Sequence, residues 1–149
     1  MRRIPGTDAA GKIATNALMD WLRQVRVLAA QYGRAEITDQ CLGQLLAKAA
    51  PDGAGGWPPV PVCEAMESIA SSEIAKGFSV GVRNSRGAVW RGEGGAQERE
   101  LATKYRTWSQ KLAFQYPYVV SVLEEIAASY DREAEWHDSE ATVSKRLRH

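Results

Sequence analysis

The residue types that could do chemistry gather in one stretch, Gly77 to Glu100, which reads GFSVGVRNSRGAVWRGEGGAQERE and holds six of the thirteen glycines. Arg83, Asn84 and Arg86 fall in the last turn of a predicted helix, where cations meet the negative end of the helix dipole. Arg91 lies across a glycine-flanked loop, and Gly94 and Gly95 precede a helix start whose unpaired amides can hold an anion. Together these groups would make a phosphate or carboxylate pocket. A plainer account uses the same residues as caps and salt bridges: Glu98 and Glu100 occupy the first turns of the following helix, and Glu93 can pair with any of the arginines. That account is preferred for the arginines. Trp90 is different, because a tryptophan in a glycine-flanked loop is either a lid on the core or an anchor at an interface. Beside Arg91 it also suits stacking on single-stranded nucleic acid.

Other chemistry is poorly served. The two histidines, His137 and His149, complete no metal motif: Ala134 stands three residues before His137, where a carboxylate bundle would need glutamate, and there is no HExxH or paired CxxC. No metal or cofactor is expected. A serine-histidine-aspartate set would rest on His137 and Asp138, and no serine has a nucleophile-elbow context. An enzyme would have to use Glu93 or Glu98 as acid and base, a reading that ranks below the others.

The elements that must position these residues follow from apolar spacing. Residues 1–14 have the composition of a flexible linker. From Thr15, Leu18, Trp21, Leu22, Val25, Leu28, Ala29 and Tyr32 recur every three or four residues and predict one buried helical face, with Arg23 and Arg26 on a solvated flank and Gly33 as the stop. Thr38 reads as the N-cap of a second helix, stapled by Ile37 and Leu42 and carrying Cys41, Leu45, Leu46 and Ala49 inward. It forms an antiparallel hairpin with the first. Pro51 to Pro61, with three glycines and four prolines, is a connection that Trp57 plugs onto the core.

The period of Val62, Met66, Ile69, Ile74, Phe78 and Val82 runs through Ser71 and Ser72 without slipping, which favours one long helix over about 61–86. On its inward face Gly77 and Gly81 each cost about 1 kcal/mol relative to alanine, a loss best offset by close approach of another helix backbone. A helix from Gly95 or Ala96 to about Gln115 turns Leu101, Tyr105, Trp108 and Leu112 inward. Pro117 opens the last helix, with Val120, Leu123, Ile126, Ala127, Tyr130 and Ala134 buried. Residues 139–149 read as a frayed polar extension. The echo between 66–72 and 123–129 is too short to establish a repeat.

At 149 residues, 44% hydrophobic and 25% charged, the chain has the size and balance of one domain with its own core. A net charge of +1 supplies no global field toward nucleic acid or membranes. Cys41 and Cys63 fall at apolar helical positions and are expected as buried, reduced thiols. No apolar run matches a signal peptide or a membrane span, so a soluble cytoplasmic protein is expected.

The expected architecture is an all-α, single-domain bundle of five or six helices over 15–138 with a long Gly/Pro-rich connection. The expected function is a non-enzymatic interaction or regulatory module, of the kind found within a larger bacterial protein or complex, that binds another protein through the loop at Trp90. The alternative is nucleic-acid or phosphorylated small-molecule binding at Arg83, Arg86, Arg91, Gly94 and Gly95.

Overall fold

The apolar period beginning at Thr15 becomes α1, Thr15–Gln31. It stops where Gly33 takes φ +68°. The amide of Arg34 reaches the carbonyl of Ala29 at 2.8 Å and that of Gly33 reaches Ala30 at 3.2 Å, the paired bonds of a Schellman ending. This turn delivers the chain directly into α2, Ala35–Leu46. The second helix therefore starts three residues before Thr38, with Arg34 at its N-cap and no side-chain cap bond. The remaining helices are α3 (Val60–Ile69), α4 (Ser72–Ser85), α5 (Ala96–Leu112) and α6 (Pro117–Leu147). The computed structural model describes residues 4–9, 11–51, 55–85 and 95–147. Among these the protein is all-α, with a single isolated bridge between Thr7 and Ile13 as its only extended pairing. The chain divides into two compact units, Met1–Gly87 and Ala88–His149.

In the first unit α2 and α4 share the most extensive helix contact. Glycine is the reason they can approach. A Cβ added at Gly77 would overlap the carbonyl oxygen of Gln40, one at Gly43 would overlap that of Ile74, and one at Gly81 would sit 2.9 Å from the Cα of Gln44. The predicted role of Gly77 and Gly81 is met, and Gly43 supplies the matching gap on the facing helix. Phe78, Ile74, Leu46 and Met66 are fully buried around this contact. Trp57 is the expected plug: 6% exposed, it donates from Nε1 to the Ala49 carbonyl at 2.7 Å and its ring lies 5.2 Å from that of Phe78.

The single long helix predicted for 61–86 is instead two. Ala70 adopts φ 49° and ends α3, a left-handed conformation that costs a non-glycine residue about 1 kcal/mol. The Ser71 hydroxyl then accepts from the Ile74 amide at 3.2 Å and caps α4. An uninterrupted apolar period is compatible with either arrangement, because the break leaves Val62, Met66, Ile74 and Phe78 all on the buried side.

Three further expectations are corrected. Only Leu18, Leu22 and Ala29 of the α1 stripe are buried, while Leu28 and Tyr32 are exposed. Cys63 is buried but Cys41 is exposed. On α5 the buried positions are Glu98, Ala102, Tyr105 and Ser109, so the inward face is rotated from Leu101, Trp108 and Leu112, which are half-buried. The N-terminal segment makes a small turn closed by the Ala14 amide on the Gly6 carbonyl at 2.9 Å, with Ile4 buried.

The second unit is built on the antiparallel pair α5 and α6. Tyr105 stacks on Tyr130 at 5.8 Å, and the Ser109 hydroxyl donates to Glu124 at 2.8 Å. Arg106 bridges to Glu124 and Asp131. Leu123, Ile126, Ala127, Tyr130 and Ala134 are buried as predicted, while Val120 is half-buried. The helix continues to Leu147 through the segment for which fraying is predicted.

Gly77→Ala is expected to destabilise the first unit by about 2–3 kcal/mol, the upper range for overpacking, because the clash is with backbone and cannot be relieved by a rotamer change. Ser79→Ala, on the same helix but off that face, should stay within about 0.5 kcal/mol. Thermal or denaturant unfolding of the two variants checks this, and equal stability would mean that α2 and α4 can separate without loss.

Candidate functional site

Arg83 and Asn84 lie exposed in the last turns of α4, with Arg83 the basic residue of its final turn. Arg86, Trp90, Arg91 and Gly94, together with Glu93, fall outside the described residues. Gly95 is the N-cap of α5, and its amide is already engaged: it donates to Asp138 Oδ1 at 2.8 Å, and Asp138 also pairs with Arg99. A Cβ at Gly95 would collide with the backbone of Ala134. Close packing of the α5 start on α6 therefore accounts for glycine here, and an internal carboxylate occupies the helix terminus.

Glu98, the other candidate from this stretch, is fully buried, with His137 Nε2 4.0 Å from its Oε1. The imidazole meets the Trp136 ring edge-on at 5.0 Å. A carboxylate with no accessible surface offers nothing to a substrate from solvent, so this pair reads as the inside of the α5–α6 seam. Among the described residues no group of three or more His, Cys, Asp or Glu side chains could hold a metal ion.

The structure places its open surface elsewhere. Trp21 and Val25 of α1 face Ile37, Cys41, Leu42 and Leu45 of α2 across a groove of about 640 Å³. Lys48 is the one charged residue lining it. A second depression, lined by Tyr32 through Ile37, adjoins it at the hairpin turn and shares Ile37. Leu28 and Tyr32 continue the line of Trp21 and Val25 along α1 at spacings of three and four, which keeps all four on one side of the helix.

A polar joint beneath fixes the two walls. Arg26 donates from Nε and Nη2 to the two oxygens of Asp39 at 2.9 and 3.0 Å, and the Ser71 hydroxyl donates to Asp39 Oδ2 at 2.8 Å. One buried carboxylate thus ties α1, α2 and the start of α4 together. Burial by itself pushes the Asp39 carboxyl up, but the hydrogen bonds from Arg26 and Ser71 and the Arg26 charge outweigh it and hold the group below its ordinary value. Next to it, the Gln40 amide donates to Glu73 at 2.6 Å. That bond, with Lys76, keeps Glu73 low as well. Sequence reasoning missed this joint, placing Arg26 on a solvated flank and giving Asp39 no role. Their separation of thirteen residues across a predicted hairpin turn was the available signal.

No protein-family model matches the chain, and comparison with curated proteins and with solved structures finds no match. Among the described residues no helix is long and apolar enough to cross a membrane.

Asp39 has its acid-strengthening partners only in the folded state. Its contribution is therefore present above the unfolded carboxylate value of about 3.9 and lost as pH falls through the lower folded value. Asp39→Asn should cost on the order of 2 kcal/mol at neutral pH, a moderate figure because Arg26 stays partly hydrated. The gap from wild type should shrink as pH approaches about 3. Melting temperatures measured on both proteins across that range decide it, and a gap independent of pH would exclude the ionised joint.

Proposed function

We propose that this chain is a non-enzymatic helical interaction or regulatory module and that its docking face is the α1–α2 side of the first unit. The observation that carries the reading is the exposure of Leu28 (55%), Tyr32 (76%) and Ile37 (58%) around the open groove. They are three of the eight exposed large apolar side chains among the described residues, within ten positions of the chain. Scattered apolar residues on a surface need no explanation, but a contiguous apolar face beside a groove marks an interaction site. A cytoplasmic setting, in which exposed Cys41 stays reduced, belongs to the same proposal.

Binding of nucleic acid or a phosphorylated small molecule at the Arg83, Arg86 and Arg91 corner is the second reading. The exposure of Arg83 and Asn84 favours it, while the engagement of the Gly95 amide by Asp138 removes one anion donor. The two readings separate by salt, since phosphate contacts weaken steeply with ionic strength and apolar docking does not.

Because Leu28 and Ile37 are exposed, Leu28→Asp with Ile37→Asp should leave the helical circular dichroism and melting temperature nearly unchanged. Affinity capture from the native cell with wild type and this double variant is expected to show a protein, an untagged copy of the chain included, that wild type retains and the variant loses. Identical retained sets would remove the α1–α2 face from the function.

A further inference from the structure

We draw no further inference here: the strongest candidate, the open apolar groove between Trp21 and Val25 of α1 and Ile37, Cys41 and Leu45 of α2, belongs to the docking face already described, and nothing in the structure shows what covers it.

Discussion

Everything in the first unit depends on how closely α2 and α4 approach. Gly43 and Gly77 bring the two backbones into direct contact, with Gly81 receiving the Ala47 methyl and the Gln44 backbone, and such a fit permits one rotation of each helix about its axis. Once Gly43 of α2 is turned into the contact, residues 37, 41 and 45 fall on the far side of the helix. The open wall of the groove is the far side of a glycine-mediated helix contact. Gly77 and Gly81 each lose about 1 kcal/mol of helix propensity, and what they gain is dispersion along a whole seam together with a fixed orientation for every other residue of α2.

α1 is held differently. Its contacts with α2 and α3 are few compared with those between α2 and α4, and its orientation rests on Arg26 gripping Asp39 with both oxygens engaged. A carboxylate removed from water is destabilising unless its lone pairs are filled, and here three donors fill them. The Ser71 hydroxyl takes part while also capping α4. The break at Ala70 is thus connected to the joint: a continuous helix would carry Ser71 through its interior and lose the cap that aligns it with Asp39. The same small set of polar atoms ends one helix, starts the next and fixes the spacing between α1 and α2.

The second unit reaches a comparable result with other means. Gly95 brings the start of α5 against the backbone of α6 at Ala134, and Asp138, one turn further along α6, receives the amide that the helix start exposes. Arg99 closes the clasp from outside. Of the glycines in the stretch before Glu100, Gly95 serves here to let the start of α5 pack against α6.

Much of this was legible in the chain. The helical periods, the Gly33 stop and the Pro117 start follow from local stereochemistry, which acts within a few residues, while the Trp57 plug and the packing role of Gly77 and Gly81 follow from what those residue types gain by burial or lose in a helix. What the chain could not disclose is how a face is shared. The apolar stripe of α1 spans more of the helix circumference than its neighbours cover, and only the tertiary arrangement decides that Leu18 and Leu22 fall inside while Leu28 and Tyr32 stay out. The exposure of Cys41, the burial of Glu98 and the pairing of Arg26 with Asp39 were decided in the same way. Periodicity reports which residues prefer to leave water, whereas the number of partners available to receive them is a property of the assembled helices.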